Sequence, residues 1–292
     1  MPELPEVETV ARGLHKRVLG DTIDDVWLSG KKPTFKSKPA EIGAVLPGTR
    51  ILGVRRMGKH IVFDLQRDGA EAKKRRRGPS GKSSKKVLAG ASEHPQWIVH
   101  LGMTGRMVVC EPAEEIAKHT HAIAKLASGR ELRFVDPRRF GRLSVVRKGG
   151  FEAGGVEPLE VDRERFVELF KGRKTPIKSA LLNQQLLRGV GNIYADESLF
   201  RTGIRPRRRA SSLTRDQLGT LHGAVQEVLR EAIALGGSSV SDYVDADGEE
   251  GFFQLQHRVY GREGEPCLVC KTPVKRVVFI GRSSHYCPNC QK

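Results

Sequence analysis

The pair of knuckles Cys267-Leu-Val-Cys270 and Cys287-Pro-Asn-Cys290, sixteen residues apart near the end of the chain, does most to limit how it can fold. Two CxxC knuckles at that separation match a tetrahedral four-thiolate zinc site. Between them Val277 to Ile280 and His285 to Tyr286 read as the arms of a hairpin. Thiolates fill all four coordination positions, so the expectation is one structural zinc and no open catalytic position. Such a metal supplies on the order of 10–16 kcal/mol to a module with little core of its own. A redox dithiol is the alternative, and the doubled motif argues against it. The fifth cysteine, Cys110, ends the apolar stretch Met107 to Cys110 and is expected to be a buried thiol.

Charge narrows the class of partner. Lys plus Arg exceed Asp plus Glu by 51 − 34 = +17, and the pI is about 9.9. That excess points to a polyanion, of which nucleic acid is the commonest. No run of about 18 apolar residues suggests a membrane span, and the acidic start lacks the apolar core of an export signal. In a chain retained in the cytoplasm, clustered cysteines bind metal and do not form disulfides.

With 292 residues, there is length for more than one core. Pro5 suits the first turn of a helix, and Val7, Val10, Ala11, Leu14 and Val18 follow at helical spacing. Strand patterns then run over Thr22 to Leu28, Arg50 to Val54, His60 to Leu65, Trp97 to Leu101, Arg106 to Cys110, His121 to Ala127, Glu131 to Val135 and Leu143 to Arg147. No helical period is evident among them. Residues 1–150 therefore read as a helix fronting an antiparallel β-sandwich, interrupted at about 67–96 by a basic, Ser/Gly-rich insertion that cannot bury a core. Residues 151–250 turn helical, over Arg163 to Lys171, Ile177 to Leu187 and Thr214 to Leu235. Thr214 with Gln217 forms a capping box, Leu213 with Leu218 a hydrophobic staple, and Gly236 a stop, before a flexible Gly/Ser/Asp segment to Gly251. Residues 251–292 hold the cysteine hairpin. The fold class expected is α+β and multi-domain.

The first residues, Met-Pro-Glu-Leu-Pro-Glu-Val-Glu, carry a chemical suggestion. Removal of Met1 gives Pro2 a free secondary amine. An α-amine has a pKa near 8 against about 10.4 for lysine, so roughly a tenth of it is unprotonated at neutral pH. At the positive end of a helix dipole, and with Glu3 beside it, such an amine can attack a carbonyl-like carbon. The alternative is that the two prolines simply start a helix.

Three further motifs say little individually: Arg55-Arg-Met-Gly-Lys59-His, His100-Leu-Gly-Met103-Thr-Gly and Asp136-Pro-Arg138-Arg-Phe140-Gly. The last two set apolar or planar side chains on turns, as a base-stacking wedge requires. Together with Met1-Pro-Glu-Leu-Pro-Glu-Val-Glu-Thr, Gly191-Asn192-Ile-Tyr-Ala-Asp-Glu and the four-cysteine finger, they occur in an order that resembles bacterial formamidopyrimidine-DNA glycosylases over residues 1–292. Leu4 sets the start apart from the related endonuclease VIII, where glycine usually follows the first glutamate.

The resemblance implies a bifunctional enzyme that removes oxidised purines from duplex DNA and cleaves the abasic site. It implies Pro2 as nucleophile, Glu3 as the acid opening the sugar, Lys59 as proton donor in β-elimination and Arg282 for δ-elimination. Met103, Arg138 and Phe140 resemble the wedge that fills the vacated stack. His119, Lys178 and Asn192 resemble phosphate ligands, with Arg173 or Lys174 a further DNA contact. A helix-two-turn-helix element near Asn192 and Thr214, one zinc, a monomer, and a bacterial cytoplasmic, nucleoid-associated location are implied as well. Asn183 stands where the family commonly has aspartate, and Gly281 where some members have glutamine. The rival readings are an endonuclease VIII-like preference for oxidised pyrimidines and a catalytically silent DNA-binding protein.

Overall fold

The computed structural model describes residues 1–31, 34–67, 94–239 and 251–292. The basic insertion and the segment following Gly236 therefore lie outside the described residues except at their ends. The described chain forms two compact units, one of Met1–Pro2 with Val7–Glu152 and one of Glu3–Glu6 with residues 153–239 and 251–292.

The first unit takes most of α1 (Leu4–Val18), whose Val7, Val10, Ala11, Leu14 and Val18 are all buried, as their spacing requires. Eight strands follow: β1 (Thr22–Leu28), β2 (Thr49–Met57), β3 (His60–Arg67), β4 (Gln96–His100), β5 (Arg106–Cys110), β6 (Thr120–Leu126), β7 (Glu131–Val135) and β8 (Arg142–Val146). They make one antiparallel sheet in the order β5-β7-β6-β1-β2-β3-β4-β8. Register shifts at Ile23/Asp25, Ile51/Gly53 and Thr120/Ala122 mark bulges, which bend a sheet. A single core joins Leu132 and Phe134 from one half of the sheet to Phe63, Trp97 and Val99 from the other.

Two expectations need correction here. A short helix, α2 (Pro39–Val45), does interrupt the strands, with Pro39 at its start and Ile42 and Val45 buried. Seven residues are too few to show a period in sequence. Cys110 is only partly buried, because β5 is an edge strand of the sheet.

The second unit packs α3 (Arg163–Phe170), α4 (Ile177–Leu181), α5 (Asn192–Arg201) and α6 (Arg215–Ala234) around Phe166, Phe170, Tyr194, Leu221 and Phe253. The helix expected to reach Leu187 stops at Leu181. Beyond it the Gln184 side chain donates to the Leu182 and Val190 carbonyls and accepts from the Gly189 N–H, which turns the chain back toward α5. The capping box of α6 is present: Thr214 Oγ1 accepts the Gln217 N–H at 3.2 Å and Gln217 Oε1 accepts the Thr214 N–H at 3.0 Å. Leu213 and Leu218 of the expected staple are both buried.

The cysteine hairpin is built from β9 (Lys275–Phe279) and β10 (Arg282–Tyr286), longer arms than the sequence suggested. Its turn, Ile280-Gly281, has φ values of 50° and 68°, the left-handed pair that a two-residue hairpin of matching twist requires. Glycine at 281 meets that demand. Glu197 of α5 ties this end of the unit down by accepting the backbone N–H groups of Arg258, Val259 and Tyr260 at 2.9–3.0 Å. Among the described residues no helix is long and apolar enough to cross a membrane.

Replacing Thr214 by alanine should lower the stability of the helical unit by about 1 kcal/mol, while serine should preserve it. Urea melts followed by far-ultraviolet circular dichroism will show the difference. Coincident midpoints for all three proteins would mean that the box does not hold the helix.

Candidate functional site

In the second unit the site grows from the start of α5. Gly191 precedes this helix and offers no side chain to cap it. The cap comes instead from Glu3, whose Oε1 accepts the Ile193 N–H at 3.2 Å. Glu3 is 5% exposed, and a Cβ on Gly191 would stand 2.1–2.4 Å from its carboxyl atoms. Only glycine leaves room for that carboxylate. A negative charge there also meets the positive end of the helix dipole.

The chain around Glu3 is fixed on both sides. The Leu4 N–H donates to the Gly189 carbonyl at 3.0 Å, and the Glu3 N–H donates to Glu6 Oε2 at 2.7 Å. Glu6 accepts as well from the Tyr194 hydroxyl and from the Ser238 N–H at 2.9 Å. Burial pushes the Glu6 carboxyl above the usual carboxylate range, and its hydrogen bonds draw it part of the way back. Pro2, buried and one peptide bond before Glu3, follows Met1 in this chain.

Around the other side of α5 lie Asn192, Lys178 and the β10 backbone. Asn192 Nδ2 donates to Ser283 Oγ at 3.3 Å, and Asn192 also hydrogen-bonds the phenol of Tyr260. Burial pushes that phenol upward. Lys178, which resemblance implies as a phosphate ligand, is held among protein partners. It is 1% exposed, ion-paired to Asp196 Oδ1 at 2.7 Å and donating to the Ser283 carbonyl at 2.6 Å. Burial pulls its ammonium down from the usual range, and Asp196 opposes the shift. Asp196 Oδ2 also accepts the His285 N–H at 2.8 Å, so this pair fixes β10 to α5. Arg282 begins β10 and is exposed, and it borders an open cavity of about 200 Å³ with Lys178, Leu182, Asn183 and Phe279. Asn183, in the place of the expected aspartate, uses only its carbonyl oxygen, toward the Gln185 N–H at 2.9 Å, a bond that either residue can accept.

The four cysteines fit the metal. All four sulfurs lie within 4.8 Å of one another, with Cys267–Cys290 at 3.9 Å and Cys270–Cys287 at 3.4 Å. Tetrahedral zinc with bonds of about 2.3 Å sets sulfurs about 3.8 Å apart. The thiolates occupy the whole coordination sphere, so the ion braces the hairpin that carries Arg282.

In the first unit, Lys59 stands at the apex of the two-residue β2–β3 hairpin, after Gly58 at φ 59°. Burial draws His100 down to about 4, helped by the charges of His60 and Lys59. Met103 and Phe140 are 40% and 45% exposed, large apolar side chains held on loops. The Arg138 guanidinium lies 4.8 Å from the centre of the Phe140 ring, and Arg139 between them has φ 55°. That left-handed residue lets its two neighbours share one side of the turn. The two loops meet backbone to backbone: a Cβ on Gly102 would fall 2.5 Å from Gly141 N and Phe140 C. His119 is exposed just before β6. Arg173 and Lys174 are exposed on the link between α3 and α4.

Sequence reasoning thus named Glu3, Lys178, Asn192 and Arg282, which lie in one unit, and Lys59, Met103, Arg138 and Phe140, which lie in the other. It gave no role to Glu6, Asp196, Tyr260, Thr104 or Asp136, whose parts depend on backbone N–H groups and neighbours brought together by the fold.

Comparison with known proteins agrees with this geometry. Residues 1–143 match the formamidopyrimidine-DNA glycosylase N-terminal domain, 155–244 the H2TH domain of the same enzymes, and 264–292 the zinc finger found in FPG and IleRS. A formamidopyrimidine-DNA glycosylase of Solibacter usitatus is 44% identical over 294 residues, covering 100% of both chains. The crystal structure of MutM (FPG) from Thermus thermophilus superposes with a TM-score of 0.81 at 41% identity, covering 99% of this chain and 98% of that one. Lactococcus lactis Fpg in complex with DNA containing an abasic site gives 0.83 at 30% identity, covering 99% of each chain.

Gly191→Ala should displace the Glu3 carboxylate from α5 and reduce turnover on damaged DNA by roughly a hundredfold, the scale of a misplaced catalytic group. Zinc content and thermal midpoint serve as controls. Wild-type turnover in a folded, zinc-loaded variant would show that the Glu3–α5 contact is dispensable.

Proposed function

The chain belongs to the formamidopyrimidine-DNA glycosylase family, DNA glycosylases of base-excision repair, and we propose that it removes 8-oxoguanine and formamidopyrimidines from duplex DNA and then cleaves the abasic site. Once Met1 is removed, the Pro2 amine attacks C1′ of the damaged nucleotide. The glycosidic bond breaks with its electron pair on the base, which leaves and takes up a proton. The Glu3 carboxyl gives a proton to the ring oxygen, so the sugar opens and Pro2 holds C1′ as a Schiff base. Lys59 supplies a proton in the β-elimination that expels the 3′ phosphate. Arg282 serves the δ-elimination that expels the 5′ phosphate.

The observation that carries this reading is Glu3. A carboxylate buried at 5% exposure, clamped on the Ile193 N–H and adjacent in sequence to Pro2, is costly to keep without a chemical task. Chemistry at C1′ requires the nucleotide to leave the stack, at a few kcal/mol. Met103, Arg138 and Phe140 have the exposure and chemistry to fill the gap and face the orphaned base. Asn192 and His119, with Arg173 or Lys174, supply contacts to the phosphates, in keeping with the +17 charge. Lys178 acts with them through the Ser283 carbonyl and Asp196. The enzyme works as a monomer in the bacterial cytoplasm, at the nucleoid.

Borohydride reduction on an 8-oxoguanine duplex should leave a covalent adduct with enzyme whose intact mass lacks Met1. Pro2→Gly, which keeps an α-amine but loses the ring that fixes it, should give far less adduct, and Glu3→Gln should lose base excision by at least about a hundredfold. An adduct of wild-type yield from the Pro2→Gly variant would end the assignment. A preference for thymine glycol over 8-oxoguanine would move the substrate class to oxidised pyrimidines.

A further inference from the structure

We propose that Asp136 is the positioning residue that locks the DNA-contacting segments of the first unit into one rigid wedge. The proposal rests on the reading above, because it assigns Asp136 to the extrusion of the damaged nucleotide. Three separate stretches carry the side chains concerned: Met103 after β4, His119 before β6, and Arg138 with Phe140 after β7.

Asp136 bonds to all three. Its Oδ1 accepts the Thr104 hydroxyl at 2.6 Å and the Arg138 N–H at 3.3 Å, and its Oδ2 accepts the Gly141 N–H at 2.7 Å. Its own N–H donates to the His119 carbonyl at 3.0 Å, and its carbonyl accepts the Arg139 N–H at 3.3 Å. The His121 ring nitrogen Nε2 lies 3.1 Å from the same carbonyl. The residue is 0% exposed, and Thr104 is buried with it. Every group converging on the side chain is a donor, so an acceptor-only carboxylate matches the set. An amide would turn an NH2 toward one of those donors and leave a buried group unsatisfied.

A wedge side chain fills a vacated stack well only if it is already in place. Freedom left in the loop must be lost at the moment of insertion, and that loss raises the barrier to extrusion. Met103 and Phe140 point from different loops and need a shared anchor. Asp136 provides it from below, and the glycines at 102 and 141 let the two backbones close on each other above it. The left-handed turn at Arg139 is held in the same way, with bonds from Asp136 on either side.

The test uses the full-length, zinc-loaded enzyme with Asp136→Asn, Thr104→Val and Thr104→Ser. Single-turnover excision from an 8-oxoguanine duplex should fall roughly ten- to a hundredfold for Asp136→Asn and by less for Thr104→Val. Thr104→Ser, which keeps the hydroxyl, should restore it. Borohydride trapping on a single-stranded abasic oligonucleotide, where no stack has to open, should stay within about twofold of wild type. A 2-aminopurine opposite the lesion should brighten more slowly, and amide exchange at 137–141 should accelerate. Unchanged duplex excision, or equal losses on both substrates, would refute the role. Should Asp136→Asn fail to fold, the Thr104 pair decides alone. Should wild type form no adduct anywhere, the enzymatic reading falls separately. The anchor is then judged by 2-aminopurine and amide exchange, which support it if altered and sink it if not.

Discussion

The contact on which the site depends is a carboxylate capping a helix that has no cap of its own. Glu3 takes the place at α5 that a serine or aspartate before Asn192 would ordinarily hold, and Gly191 makes the space for it. This bond does two things at once. It satisfies a backbone donor of the helix, and it fixes an acid at a chain end, where freedom is normally greatest. The Leu4 bond to Gly189 and the Glu6 bonds to Tyr194, Ser238 and Glu3 extend the same fixation to either side.

The charges divide by task. A net +17 is carried largely at the surface, where it attracts a polyanion over a distance set by salt. The buried charges are mostly anions, and they bind the protein to itself. Asp136 and Asp196 accept backbone N–H groups from the segments that carry Phe140 and Arg282, and Glu197 accepts those of Arg258, Val259 and Tyr260. Lys178 and Arg133 are buried cations among them, and the pairing of Lys178 with Asp196 is worth more as a fixed geometry for β10 than as stability.

Zinc, the strands and the long helices were legible because each rests on a local rule. CxxC spacing, alternation of apolar residues and the Thr214–Gln217 box need no knowledge of distant partners. The reading of Pro2 and Glu3 rests on resemblance and the chemistry of an N-terminal amine, not on pattern. What could not be read was tertiary. Nothing in Pro176-Ile-Lys178-Ser-Ala announces that Asp196 lies 2.7 Å away, and resemblance gave the lysine only as a phosphate ligand. The stop of α4 at Leu181 depends on the reach of the Gln184 amide to Val190, and the seven residues of α2 are too few to establish a period. Asp136 sat inside a quoted motif and still gave no sign that His119 and Thr104 converge on it.

That last case bears on how a repair enzyme can be both stable and ready. The loops of Met103 and Phe140 leave large apolar side chains in water. Apolar burial then cannot hold the loop, because the groups that would be buried are the ones on display. Directional bonds to a buried acceptor are the remaining means, and they act on backbone N–H groups whatever the exposed side chains do. The same logic applies to Arg282, carried on a hairpin with Val278 and Ile280 exposed and fixed by thiolates and Asp196 rather than by a core. Beneath these exposed apolar and cationic groups the stabilisation lies in carboxylates and a four-cysteine metal site.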